Sequence, residues 1–189
     1  GIDKILENCN WDIEYGYQQL KIKIGRSGKW YSHADGMKMD IEVIKQINNA
    51  FPNITLLVDS NDKYTIQDTI NFLNGIGDIP LLWVEEPFRE NYKEGNKLRK
   101  WMDENGFKNT LYADGEANRN HELCLRMGKE GIMNVYLADI RSFGFTRWRQ
   151  LMGELKSYGM LASPHAFGSM LKTHYITHVA AAFGNIVTI

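Results

Sequence analysis

Six residues of this 189-residue chain are spaced as if to share one chemistry: Lys23, Asp59, Glu85, Glu116, Asp139 and His165. Each stands at or just past the end of a short apolar run, and successive members are 36, 26, 31, 23 and 26 residues apart. Each gap is about one strand-helix unit. An ammonium, four carboxylates and an imidazole are the groups that move protons and hold hard cations. A single acid after a strand is ordinarily a helix cap or a solvated loop residue. Six successive strands that each end in a titratable group are poorly explained by chance capping.

The elements that must position these groups follow from hydrophobic period. In "LLWVEEPF" (81–88) the apolar run is too short for a buried helix and is bracketed by Pro80 and Pro87, so it reads as a short strand buried on both faces. Burial on both faces suggests a parallel sheet. Alternation along a strand sends Glu85 and Glu86 to opposite sides. Only one of the two can face a shared interior, as a site candidate, and the other is expected to support the strand end. The same rhythm predicts a helix over 2–15 and strands at 20–25, 54–59, 81–85, 110–114, 134–139, 160–164 and 185–189. Between them run helical stripes, such as Met37, Ile41, Ile44, Ile47 and Phe51, then Ile66, Ile70, Leu73 and Ile76. Asp35 or Gly36 is read as the start of the first stripe, and Thr65 with Asp68 as a capping pair for the second. Thr146 is read as the cap of a helix carrying Trp148, Leu151, Met152 and Leu155.

Seven strands, each but the last followed by a helix, predict an α/β fold with a parallel sheet and right-handed crossovers. In a closed barrel the six strand-end groups converge on one mouth, whereas an open sheet strings them along an edge. Convergence favours the barrel. No linker or composition break divides the chain, so residues 1–189 are read as a single domain.

Composition narrows the partners. With 22 Lys+Arg against 23 Asp+Glu and a net charge of -1, polyanion binding is not the default, and no nucleic-acid partner is expected. Cys9 and Cys124 are too few and too far apart for a disulfide framework or a CxxC metal site, which fits a reducing compartment. No apolar stretch approaches a membrane span and no signal pattern opens the chain, so a cytoplasmic protein without a membrane partner is expected. "RSFGFTRW" (141–148) looks like the RNA-stacking octapeptide of an RRM, but it follows a predicted strand and enters a helix, and no partner hexapeptide lies upstream. "GRSGK" (25–29) imitates a phosphate loop with too short a spacing, and Trp30 stands where Ser or Thr is needed. His174 and His178 lack an HExxH setting and read as a surface or packing pair, and His33 and His121 read as solvated.

"KIKIG", "LLVDSN", "WVEEPF", "DGEAN", "LADI" and "SPHAFGS", in this order and spacing, resemble the barrel domain of the enolase superfamily, and within it the mandelate racemase group. The resemblance covers nearly the whole chain. It implies a partial TIM-like (β/α)7β barrel that here lacks its first strand and the N-terminal capping domain. It also implies Mg²⁺ held by Asp59, Glu85 and Glu116, and a base motif in which Lys23 is the second lysine and Lys21 the first. Asp139 and His165 match the family's Asp-His dyad, and Lys21 and Asn61 are expected to meet substrate. Asp114 stays open as an alternative third ligand. Relatives of the muconate-lactonizing type carry a lysine where this chain has Asp139, which argues for the His-Asp group.

That assignment is chemically coherent. Three carboxylates are a hard ligand set suited to Mg²⁺, and a divalent cation with ammonium groups stabilises the enediolate formed when a proton alpha to a carboxylate is removed. Lys21 and Lys23 share a strand face, so their like charges are expected to lower the pKa of the one acting as base. Asp139 is expected to fix the tautomer of His165, which acts from the opposite side. The implied enzyme is a lyase, an acid-sugar dehydratase acting on a hydroxy-carboxylate, with a racemase or epimerase as the alternative isomerase reading. A non-catalytic binding module is the reading of another class. The chain is expected to be a fragment with little turnover alone, and a homo-oligomer is expected.

Overall fold

In the computed structural model the alternation read from the sequence becomes parallel strands separated by helices, described for residues 1–28, 31–116, 120–168 and 170–188. The chain forms two compact units, Gly1–Arg89 with Lys100–Thr110, and Glu90–Arg99 with Leu111–Ile189. The fold is α/β with parallel strands.

The first unit holds α1 (Ile2–Glu14), β1 (Gln19–Lys23), α2 (His33–Ala50), β2 (Thr55–Asp59), α3 (Ile66–Ile76) and β3 (Leu81–Glu85). β2 pairs in parallel with both β1 and β3, and the register sets Lys23 opposite Asp59 and Asp59 opposite Glu85. The predicted helical stripes supply the covering layer. Ile44, Ile47, Phe72 and Leu73 are fully buried together with Leu56 and Val58 of β2, each such side chain contributing about 1.5–3 kcal/mol by leaving water. Thr65 and Asp68 form the expected capping box at α3. α2 starts earlier than expected, because Ser32 is its cap and accepts from the Asp35 amide. Asp35 and Gly36 lie inside the first turn.

The second unit takes the first part of α4 (Tyr92–Glu104), whose last residues belong to the first unit, and holds β4 (Leu111–Asp114), α5 (His121–Lys129), β5 (Val135–Tyr136), α6 (Ile140–Phe143), α7 (Phe145–Ser157), β6 (Leu161–Ala162) and α8 (Met170–Phe183). β5 pairs in parallel with β4 and with β6. Its core gathers Tyr112, Cys124, Tyr136, Trp148, Met152, Leu155 and Ile176. β5 and β6 have two residues each, shorter than expected, and past β5 Asp139 turns the chain into α6 by accepting from the Arg141 and Ser142 amides. The expected last strand reduces to one bridge, Ala162 with Ile186, since a two-residue neighbour offers little ladder to extend. Thr146 is not a cap. Gly144, at φ +98°, closes α6 and opens α7, which leaves Thr146 inside the helix. The RRM-like octapeptide therefore lies in helices, where it cannot present a strand face. No helix among the described residues is long and apolar enough to cross a membrane.

Candidate active site

Alternation on β1 buries Leu20 and Ile22 and turns Lys21 and Lys23 to the other face. The Lys21 ammonium meets Glu85 Oε1 at 2.6 Å and Asp59 Oδ2 at 3.2 Å. Lys23 donates to Asp59 Oδ2 and, at 3.0 Å, to Asn61 Oδ1. The side chains of Asp59 and Glu85 are 0% and 2% exposed. Their remaining oxygens are also served: the Asn61 amide donates to Asp59 Oδ1 at 3.0 Å and the Trp83 indole to Glu85 Oε2 at 3.0 Å. Asn61, at φ +45°, reaches past the strand end to donate its side-chain amide to Glu86 Oε2 at 3.3 Å. The buried Glu86 also accepts, through its backbone carbonyl, from the Ser60 hydroxyl at 2.8 Å. It thus ties together the two strand ends.

Burial pushes the Glu85 carboxyl up to about 8, with the neighbouring Asp59 charge adding to the rise and Lys21 opposing it. Burial acts on Asp59 in the same sense, but the Lys21 and Lys23 ammoniums outweigh it and hold Asp59 below its ordinary value. Lys21 is raised: burial disfavours its charge, and the Glu85 and Asp59 carboxylates more than offset that. Two carboxylates within 3.2 Å thus hold Lys21 in its charged form. The same geometry tests the fit to a metal. Asp59 and Glu85 are buried, hard oxygen donors already bridged by a cation, and a divalent ion would supply the positive charge that burial demands.

The second unit carries the other candidates. Asp114 is buried with both oxygens engaged, Oδ2 by the Tyr112 hydroxyl and Oδ1 by the Gly115 amide, each at 2.7 Å. Gly115 sits at φ +106°, and a Cβ there would come within 2.7 Å of the Tyr136 ring. That close approach turns the chain so that Glu116 Oε1 meets His165 Nε2 at 3.1 Å. On the other side of the imidazole, Nδ1 lies 3.1 Å from Asp139 Oδ2. The Asp139 Oδ1 oxygen caps α6, accepting from the Arg141 and Ser142 amides at 2.8 and 2.9 Å. Burial tends to raise Asp139, yet the Lys172 ammonium, the α6 amides and His165 hold it well below the usual carboxylate range.

Two contributors escaped the sequence reading. Lys172, in the first turn of α8, donates to Asp139 Oδ2 at 2.8 Å and to the Phe167 carbonyl at 3.1 Å. Its only signal is a lysine seven residues past His165. Asp40, fully buried on α2, accepts from the Gly25 and Arg26 amides at 2.8 and 3.1 Å, from the Tyr64 hydroxyl at 2.8 Å, and from the Arg26 guanidinium. It braces the loop that follows the lysine strand. An acid on the same helix face as Gly36, Val43, Ile44 and Ile47 was a legible signal. Among the histidines, His174 and His178 are exposed, as expected of a surface pair. His33 is exposed, as expected, with Nε2 2.7 Å from Asp68 Oδ1, whereas His121 departs from the solvated reading: it is half-buried and its Nδ1 pairs with the Tyr136 hydroxyl.

Residues 4–188 match the family described as enolase C-terminal domain-like. The chain belongs to that family. Its structural neighbours are enolase-superfamily proteins of the mandelate racemase and muconate-lactonizing type. Galacturonate dehydratase from a Geobacillus species, crystallised with D-galacturonate and 5-keto-4-deoxy-D-galacturonate, overlays with a TM-score of 0.93 at 29% identity, covering 100% of this chain and 51% of that one. A mandelate racemase/muconate lactonizing protein from a Geobacillus species, complexed with magnesium and tartrate, overlays with a TM-score of 0.92 at 30% identity, covering 98% of this chain and 48% of that one. The o-succinylbenzoate synthase of Bacillus subtilis is 32% identical over 88 residues, 47% of this chain and 20% of the synthase. This member of the enolase C-terminal domain-like family therefore spans about half, or less, of the length of these relatives.

Proposed function

We propose that this chain carries the base-bearing and metal-binding groups of an enzyme that removes the proton alpha to a carboxylate, as an acid-sugar dehydratase. The observation that carries this reading is the register of β1, β2 and β3, which aligns Lys23, Asp59 and Glu85 at neighbouring strand ends, with both acids buried against the Lys21 ammonium. Asp59, Glu85 and Glu116 are the residues that would hold Mg²⁺. Glu116 is preferred to Asp114 because the Gly-Glu-x-Asn order at 115–118 resembles that of the mandelate racemase group. Bound there, Mg²⁺ would supply the charge that stabilises an enediolate.

The chain's own groups then take distinct parts. Lys23, steered by Asn61, takes the alpha proton, and Lys21 keeps a positive charge beside the substrate carboxylate. His165 delivers a proton to the departing beta hydroxyl. Asp139, fixed by its α6 amides and Lys172, holds Nδ1 so that Nε2 faces the reaction. The compounds bound to the Geobacillus dehydratase support dehydration: conversion of D-galacturonate to 5-keto-4-deoxy-D-galacturonate removes the C4 hydroxyl and leaves a ketone at C5. Loss of an alpha proton followed by loss of a beta hydroxyl gives that product. A racemase or epimerase would share the first step and end with reprotonation on the other face, for which the Lys23 and His165 pair is also equipped.

The test is exchange of the alpha proton in D₂O, with Mg²⁺, across a library of aldonates and uronates. Deuterium incorporation or water loss that disappears in Lys23→Ala supports the reading. Full exchange in both Lys23→Ala and His165→Asn overturns it.

A further inference from the structure

Beside the Asp139–His165 pair lies a groove of about 650 Å³ walled by Phe145, Phe167, Leu171 and Tyr175, with Arg141 and Lys172 as its cations. Those four apolar side chains are all exposed, and the Phe145 and Tyr175 rings pack at 5.7 Å. Elsewhere the exposed large apolar residues among those described are Trp11, Tyr15, Tyr17 and Tyr31, near α1 and α2, and Met170 next to the groove itself. Among the described residues no carboxylate lines the groove. Lys172 is committed to Asp139 and the Phe167 carbonyl, whereas the exposed Arg141 makes no ion pair among the described residues.

We propose that this groove is a binding site for a small amphiphilic carboxylate, an acyl or aryl acid whose apolar body lies on Phe145, Leu171 and Tyr175 and whose carboxylate pairs with Arg141. The volume falls within the range of about 300–1,000 Å³ that holds small organic ligands. Apolar walls with one unpaired guanidinium match a ligand that is apolar along its length and anionic at one end, and a guanidinium fork fits a carboxylate bidentately. A sugar acid does not fit, because each of its hydroxyls would lose water against aromatic walls that return few hydrogen bonds. The site is therefore distinct from the one proposed for the alpha-proton substrate. It is nevertheless joined to the dyad: Lys172 holds Asp139, and the Phe167 ring lies nearly parallel to the His165 ring at 6.4 Å. Occupancy is expected to be felt at His165.

The experiment is a titration of the protein with octanoate, followed by the ring signals of Phe145, Tyr175 and His165 in NMR, with octanol and gluconate as controls. Saturable shifts with octanoate, about tenfold weaker binding of octanol, and no response to gluconate are expected. Arg141→Gln should bring octanoate down to the level of octanol, and Phe145→Ala should weaken both. Absence of saturable shifts, equal affinity for octanoate and octanol, or an unchanged octanoate affinity in Arg141→Gln overturns the proposal. So does sedimentation showing that a second copy of the chain covers the groove. Alpha-proton exchange with acid sugars is a separate readout, so either reading can fail while the other stands.

Discussion

The two units place their reactive groups by different means. In the first, five-residue strands and continuous ladders set the positions: Lys23, Asp59 and Glu85 are neighbours because the register makes them so. In the second, β5 and β6 stop after two residues, and the work passes to caps and loop hydrogen bonds. Asp139 is held by the α6 amides and Lys172, and His165 by hydrogen bonds of its backbone to Leu137 and Ile140. A sheet register is reinforced by every residue along it. A capped loop depends on a few side chains, each replaceable by one substitution.

That contrast predicts where single changes do most harm. Asp40→Ala should be the most damaging change, because it strands the half-buried Gly25 and Arg26 amides, the buried Tyr64 hydroxyl and the Arg26 guanidinium. A loss of about 3–5 kcal/mol is expected in urea denaturation, and a loss under 1 kcal/mol would show that the loop after β1 stands without this brace. Glu85→Gln should weaken Mn²⁺ binding by about a hundredfold in calorimetry, with the fold intact by circular dichroism. Glu116→Gln should act in the same direction, while Asp114→Asn should lower stability more than metal affinity. The reverse pattern would exchange their roles.

In the second unit, Asp139→Ala should cost about 1–2 kcal/mol through loss of the α6 cap, and it should abolish any turnover that needs an oriented His165. Asp139→Asn, tested against pH, gives the smallest effect. A carboxyl whose folded pKa lies below its unfolded value contributes stability that is present above about pH 4 and is lost as pH falls through the folded value. The difference in melting temperature between the protein and Asp139→Asn should therefore narrow as pH drops below about 4. A difference independent of pH would mean that Lys172 and the amides do not favour the charged form.

Much of the framework was readable from local pattern. Period-two and period-3.6 runs located the strands and helices, alternation put Lys21 and Lys23 on one face, and Thr65 with Asp68 announced a capping box. These features depend on residues within a few positions of one another, so the chain order contains them. Tertiary structure decided what required distant partners. Lys21 and Glu85 are 64 residues apart, and only their meeting shows which carboxylate the Lys21 ammonium faces. Lys172 reaches Asp139 across 33 residues, and His121 reaches Tyr136 across 15. The cap at Ser32 and the double duty of Gly144 are local features that hydrophobic period does not mark, whereas the bridge at Ile186 needs a partner strand. Hydrophobic period encodes which face of an element is buried, while charge and hydrogen-bond pairing depend on distances of a few ångströms that exist only once the chain has folded.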